Sequence, residues 1–215
     1  MQNNSFLNQY FKKRKSLISR FFLIFLILIF LVGLILKNHN NDSFIGKLTI
    51  DGIIHERKDL LEKLENFEKN KEIKGLILIV NSPGGTFVSS KELYDSIKKI
   101  SKKIPTAVYM KEMATSGGYL VSLSSDRIFG NSGTITGSIG VILQSADLSE
   151  LLNKIGIQPI IIKSGEFKAV PNPLEKMDQK KIDYISKIVS LMQKEFLSIL
   201  KENRNVSNDL LEIIS

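Results

Sequence analysis

Residues 75–85 read GLILIVNSPGG, an almost entirely apolar run that ends in a glycine turn. A short apolar run bounded by turn residues is typical of a strand buried on both faces of a parallel sheet. Leu93, Ile97 and Ile100 then share one face of a helix predicted over 89–100. Strand patterns at 47–53, 106–110 and 158–163, with a helical pattern at 59–70, repeat this alternation. The chain is therefore predicted to be an α/β protein whose sheet is covered by helices on both faces.

A longer helical pattern lies toward the C-terminus, from residue 177 to about 203. Its apolar positions step by three and four residues, namely Ile182, Ile185, Val189, Met192, Phe196 and Ile199. Two interpretations remain open: a stripe that faces the core, or a seam between subunits. Three heptads are too few to argue a coiled coil.

The N-terminal part of the chain has the pattern of a membrane anchor. Residues 21–36 read FFLIFLILIFLVGLIL, sixteen residues without a charge, which span about 24 Å as a helix. Five cations precede this run and one follows it, so residues 1–20 are predicted to be cytoplasmic. No small-residue cleavage pattern follows, which favours an uncleaved anchor over a removed signal peptide. The predicted order is a basic segment (1–20), a transmembrane anchor (21–36), a linker (37–45) and a domain (46–215) outside the cytoplasm.

Charge and composition exclude several classes of function. The net charge is +8, but the first 41 residues hold six basic residues and no acidic one, so the remainder carries only +2. We therefore expect no nucleic-acid partner. The chain has no Cys and only two His, which excludes thiol nucleophiles, disulfides and thiolate zinc sites and makes a site of several His ligands improbable.

A hydroxyl nucleophile is the strongest chemical candidate. Residues 113–120 read MATSGGYL and place Ser116 between a predicted strand and a predicted helix, followed by two glycines. Glycines allow a close approach of substrate backbone, and free N–H groups there can stabilise an oxyanion. The glycine turn at 81–85 (NSPGG) can supply a second N–H. The alternative is that Ser116 only caps a helix.

The base that would activate this serine is less clear from the residues alone. His39 lies in the predicted linker, and His55 has no carboxylate placed to complete a triad. Residues 163–168 read KSGEFK and bring Lys168 into a mostly apolar stretch after a glycine turn. A lysine acts as a base only when it is neutral, which requires a dry environment with few counter-charges. Spacing leaves open whether Lys168 meets that condition.

Four blocks occur in the chain in a fixed order: NSPGG (81–85), ATSGGY (114–119), TITGSIG (134–140) and KSGEFK (163–168). Together they resemble the bacterial signal peptide peptidase A family of Ser/Lys-dyad serine peptidases, over about residues 46–207. The resemblance implies a fold like Clp protease and the crotonases. It also implies Ser116 as nucleophile, Lys168 as general base and Ser138 as the hydroxyl that orients the lysine. Gly85 and Gly117 are implied as the oxyanion amides, and no metal or cofactor is needed.

The same resemblance implies a homo-oligomeric ring in which Ser and Lys come from neighbouring subunits. The implied substrates are cleaved signal peptides and other short apolar peptides at the bacterial cytoplasmic membrane, with the catalytic domain on its outer, periplasmic or extracellular side.

The chain departs from the family pattern in two places, and the second departure motivates an alternative function. Asn172-Pro173 stands where the family commonly has Ser-Pro, and NDLLEIIS after Ser207 replaces a further strand and helix. The domain is therefore expected to lack the family's C-terminal end. The alternatives are a catalytically silent, membrane-tethered scaffold of the same fold, or a crotonase-like enzyme that turns over thioesters independently of Lys168.

Overall fold

A computed structural model describes Arg14 and residues 20–33 and 43–207. The chain divides into two compact units, with the break between Ser43 and Phe44. In the first unit, residues 20–33 are helical and exposed. Over the described ranges, no helix combines the length and the hydropathy needed to cross a bilayer. Residues 34–36 of the predicted anchor and most of the predicted basic segment and linker lie outside those ranges.

The second unit is an α/β domain, as predicted. Its strands within the described residues are β1 (Phe44–Asp51), β2 (Ile73–Ser82), β3 (Thr106–Thr115), β4 (Arg127–Gly130) and β5 (Ile135–Gly137). Its helices there are α1 (Lys58–Lys69), α2 (Phe87–Ser101), α3 (Gly117–Ser122), α4 (Ser149–Lys154) and α5 (Gln179–Asn203). Every strand pair is parallel, in the order β1-β2-β3-β4, and β5 pairs with the end of β3 beyond β4.

Within the described part of the domain, helices cover one face of this sheet and leave the other uncovered. The buried strand residues, among them Leu78 and Val108, pack with Leu60 of α1 and Ile97 of α2 in one core. The prediction that both faces are covered is wrong for the isolated chain, because Ile77 and Phe129 are among the apolar residues exposed on the other face. The strand order explains the difference. Right-handed crossovers that always advance in one direction place their helices on the same side of the sheet.

A second core joins α5 to α2 and α3. Phe196, Ile199 and Leu200 of α5 pack with Tyr94, Leu120 and Leu123. The C-terminal half of the predicted apolar stripe therefore faces the core. Its N-terminal half is different, because Ile182 is exposed. Asp178 caps the start of this helix, and its Oδ1 accepts a hydrogen bond from the Lys181 backbone N–H at 2.9 Å.

The segment between β5 and α5, which we call the arm (residues 139–178), is largely irregular. The prediction of a strand at 158–163 is wrong. The described residues provide no neighbouring strand, and the 158–163 backbone makes no hydrogen bond to any of them. Ile160 and Ile162 are accordingly 89% and 94% exposed. A β-branched apolar run forms a strand only where another backbone can pair with it.

Candidate active site

Ser116 lies at the turn from β3 into α3 with an unusual backbone conformation. Its φ is 51° and its ψ is −119°, a region that costs a residue other than glycine about 1–3 kcal/mol. The conformation is held by two hydrogen bonds: Ser116 N–H donates to the Gly137 carbonyl at 2.8 Å, and Leu120 N–H donates to the Ser116 carbonyl at 2.9 Å. The Ser116 side chain makes no capping bond. Its hydroxyl thus stands at a helix start without serving as the cap.

The glycine turn after β2 lies against Ser116. Ile54 N–H donates to the Gly84 carbonyl and Thr86 N–H donates to the Ile54 carbonyl, both at 2.8 Å. These bonds leave the intervening Gly85 N–H without an acceptor among the described residues. Only glycine fits there, because a Cβ atom at residue 85 would lie 1.7 Å from the Ile54 carbonyl oxygen.

A second unpartnered amide lies next to the first. Gly117 N–H has no acceptor among the described residues either. A Cβ atom built at Gly117 would lie 3.2 Å from Gly85 N and 2.2 Å from Ser90 Oγ, so this floor of the site is tightly packed. Two adjacent free amides beside a serine hydroxyl form the kind of donor pair that stabilises an oxyanion. The structure thus brings Ser116, Gly85 and Gly117 together, while their catalytic roles stay predictions.

These groups open onto an apolar pocket of about 540 Å³. Its wall combines the start of α2, the beginning of the arm and two residues of α5, and includes Ile53, Phe87, Val88, Leu120, Val141, Ile142, Leu143, Met192 and Phe196. Sequence reasoning did not identify these wall residues. Their positions in the sequence could have indicated them, because Phe87 and Val88 lie just after the NSPGG block and Val141 to Leu143 directly follow the TITGSIG block.

Ser90 is another residue of this site that sequence reasoning did not identify. It is fully buried beneath Gly117, and its hydroxyl donates to the Thr86 carbonyl at 2.9 Å. In the sequence it is one of several serines on a helical pattern, so nothing distinguished it.

Ser138 lies beside Ser116 in the register of the sheet. β5 pairs with β3 so that Gly137 is opposite Thr115, and Ser138 and Ser116 are the residues that directly follow these two strands. Both serines have positive φ, 52° and 51°. Ser138 is exposed and does not line the pocket.

The predicted base stands apart from this group in the isolated chain. Lys168 is exposed, and its ammonium forms no ion pair or hydrogen bond with any residue that the structure describes. It is not among the residues that line the Ser116 pocket. The described residues of the same chain therefore do not provide the dry environment that a neutral lysine needs. His55 is also exposed, with its Nδ1 3.1 Å from the Ile53 carbonyl oxygen, and His39 lies outside the described residues.

Comparison with known proteins identifies the family. Residues 98–214 match the family model of peptidase family S49, and residues 49–131 match that of Clp protease. A protein of Enterococcus faecium named as a signal peptide peptidase SppA is 32% identical over 188 residues, which cover 81% of this chain and 55% of that protein. A Methanocaldococcus jannaschii protein named as a protease is 32% identical over 161 residues, covering 73% and 52%. The chain spans about half the length of these curated relatives.

The fold has a counterpart of known structure. A ClpP1 mutant of Listeria monocytogenes superposes with a TM-score of 0.51 at 17% identity, over 83% of this chain and 81% of that one. This likeness confirms the predicted Clp-protease-like α/β fold. The match to the S49 family model includes three of the four blocks, those at 114–119, 134–140 and 163–168. The chain therefore belongs to peptidase family S49, the family of the signal peptide peptidases that its sequence blocks resemble.

Proposed function

We propose that this protein is a serine endopeptidase in which Ser116 is the nucleophile and Lys168 the general base. The observation that carries the proposal is the placement of the unbonded Ser116 hydroxyl beside the free amides of Gly85 and Gly117, at the mouth of an apolar pocket. A nucleophile, two oxyanion donors and a side-chain pocket are the parts that acyl transfer requires.

The chemistry proceeds through an acyl-enzyme. The neutral Lys168 amine takes the Ser116 proton while Oγ attacks the scissile carbonyl carbon, and the Gly85 and Gly117 amides stabilise the resulting oxyanion. When the C–N bond breaks, the lysine ammonium protonates the leaving amine. The same amine then deprotonates a water molecule, whose oxygen attacks the ester carbonyl carbon. As the C–O bond to Ser116 breaks, the lysine ammonium returns the proton to Oγ. Ser138, at the matching position of the neighbouring strand, is proposed to orient the lysine.

An assembly of copies is part of the proposal, because Lys168 lies outside the Ser116 pocket of its own chain. We propose that the arm carries Lys168 to the Ser116 of a neighbouring subunit in a ring. The exposed apolar residues of the arm, among them Ile142, Ile160 and Ile162, support a buried role in such an assembly. The Clp-protease-like fold supports it as well.

The proposed substrates are short apolar peptides, including signal peptides left in the membrane. The support is the apolar wall of the pocket and the name of the Enterococcus faecium relative. We further propose that residues 21–36 anchor the protein in the bacterial cytoplasmic membrane, with the catalytic domain on the outer side. Residues 20–33 are helical and their apolar side chains are exposed, which is consistent with contact to lipid.

Covalent labelling tests the nucleophile and the base. A fluorophosphonate probe applied to the full chain is expected to label Ser116, with the label lost in Ser116→Ala and strongly reduced in Lys168→Ala. Mixing Ser116→Ala chains with Lys168→Ala chains before assembly then tests whether the sites are shared. Activity against an apolar fluorogenic peptide is expected to return in the mixture. If each variant alone is inactive and the mixed assembly is inactive too, the shared site is refuted.

The exposure of Lys168 favours one competing function, a catalytically silent scaffold tethered to the membrane. That reading predicts no labelling of Ser116 in a folded, assembled sample. Labelling that survives Ser116→Ala would also contradict the proposed nucleophile.

A further inference from the structure

The loop that carries Lys168 is attached to the N-terminal half of α5 through the residue that precedes the lysine. The Phe167 ring stacks on Tyr184 of α5, with ring centroids 4.6 Å apart and an angle of 27° between the planes. Lys180, one turn earlier in α5, places its Nζ 5.4 Å from the Phe167 centroid and pairs with Glu166 at 2.5 Å. The two residues that precede Lys168, Glu166 and Phe167, are thus both held by α5.

A second set of contacts closes the base of the same loop. Lys163, before the loop tip, pairs with Glu175 after it, and Lys181 of α5 places its Nζ 3.8 Å from Glu175. The Lys163 and Lys181 side chains are each only 15% exposed and that of Glu175 22%, so solvent screens these pairs less than it does the surface pairs. Ion pairs thus join the two ends of the loop, and an aromatic stack holds its middle, next to Lys168.

The stack at the tip has the more direct effect on the lysine. Lys168 N–H donates to the Gly165 carbonyl at 3.1 Å, and the next residue, Ala169, has a φ of 61°. Residues 165–169 therefore form a tight turn, and Phe167 is its large apolar side chain. Because this turn links the two backbones tightly, anchoring the Phe167 ring restrains the backbone from which the Lys168 side chain leaves. Tyr184 is the surface on which that ring rests.

The helix that supplies this surface is itself fixed. Farther along α5, Phe196 lies in the core, and Met192 and Phe196 line the Ser116 pocket. A rigid helix that contributes to a pocket wall at one end can hold a lysine loop in a defined place at the other.

We propose that Tyr184 is a positioning residue that orients Lys168 through the stacked ring of Phe167. This inference rests on the proposed function, because it requires Lys168 to be the base. Tyr184 does not line the Ser116 pocket of its own chain, so we expect it to affect the rate of the chemical step and not the binding of substrate.

Turnover of an apolar fluorogenic peptide by the full chain in detergent tests this role. Tyr184→Ala and Tyr184→Leu each remove the stack, and Leu retains bulk and helix propensity in case Ala unfolds the helix end. We expect both to lower kcat by about 10- to 100-fold, since a small displacement of a catalytic group has effects of that size. KM should stay within about twofold, because the pocket wall is intact. Tyr184→Phe, which keeps the ring and loses a hydroxyl that has no described partner, should retain wild-type kcat.

Lys168→Ala separates failure of the inference from failure of the proposed function. Wild-type kcat in both Tyr184→Ala and Tyr184→Leu, in an assay where Lys168→Ala is inactive, would overturn the positioning role alone. A raised KM with unchanged kcat, or a Tyr184→Phe variant as slow as Tyr184→Ala, would overturn it too. Wild-type turnover by Lys168→Ala would instead remove the proposed function and the positioning role with it.

Discussion

Adding one methyl group at Gly117 tests how tightly the floor of the Ser116 pocket is packed. A Cβ atom built at Gly117 lies 2.2 Å from Ser90 Oγ and 3.1 Å from Ser90 Cβ. Ser90 is fully buried, and its hydroxyl is bonded to the Thr86 carbonyl. The hydroxyl must leave that hydrogen bond before a methyl group fits at residue 117.

The expected cost has two parts. Forcing a methyl group into a packed site costs about 1–3 kcal/mol, and leaving a buried hydroxyl without its acceptor costs roughly 1–3 kcal/mol. We therefore expect Gly117→Ala to lower the free energy of unfolding by about 2–6 kcal/mol. Ser90→Ala alone should cost only ~1 kcal/mol, because the Thr86 carbonyl still accepts the Ser90 backbone N–H at 3.1 Å.

A double-mutant cycle isolates this contact. In the double variant the new methyl group no longer meets a hydroxyl at 2.2 Å and keeps only the neighbours at 3.1 and 3.2 Å, so the cost of the double variant should be about 1–2 kcal/mol less than the sum of the single costs. Urea unfolding of the full chain in detergent, followed by circular dichroism, measures all three variants. Gly133→Ala serves as a control expected to change stability by less than about 0.5 kcal/mol, since no atom lies within 4 Å of its built Cβ. Single costs that add to within about 0.5 kcal/mol would refute the packing argument.

Three further predictions concern stability and use the same unfolding assay. Asn203→Ala should cost about 1–3 kcal/mol, because its amide donates to the Tyr94 hydroxyl at 2.7 Å and also accepts from an ammonium of α2; wild-type stability would contradict this. The hydrogen bond from the Lys181 backbone N–H lowers the pKa of the Asp178 carboxyl. The contribution of this carboxylate to the free energy of unfolding should therefore be complete above about pH 4 and be lost as the pH falls through the lowered pKa. An Asp178→Asn variant whose stability falls with acid just as the wild type's does would contradict this. Leu78→Ala should cost about 2–5 kcal/mol, and Ile77→Ala, on the uncovered face of the same strand, about 1 kcal/mol or less; equal costs would mean that another surface covers that face.

The parts of the fold that the sequence predicts well are those buried within one chain. β2 and α2 have apolar residues whose burial does not depend on any other molecule, and their periodicity is clear. β4 and β5 have only four and three residues, and these are mostly exposed, so neither shows an apolar run. The failed strand at 158–163 has the opposite cause. Its composition is typical of a strand, but a strand also needs a second backbone to pair with, and the local sequence does not show whether one is present.

The sequence likewise located some residues of the candidate site and missed others. Ser116 and the two glycines could be located because parallel strands end at one edge of a sheet, which brings β2 and β3 turns together. The role of Lys168 could not be settled by spacing, because the ionisation of an amine depends on what surrounds it in space. The wall of the pocket was missed for a similar reason, since Met192 carries the same periodicity as the core residues of α5.

The attachment of the glycine turn to Ile54 has a consequence for mutagenesis. Both hydrogen bonds that orient the Gly85 peptide come from the main chain of Ile54, and its side chain serves only the core. An alanine scan would score Ile54 as a packing position and leave the alignment of the amide untouched. Replacing the peptide nitrogen of residue 54 with an ester oxygen removes the donor to Gly84 and keeps the side chain, so backbone synthesis is the method that exposes this role.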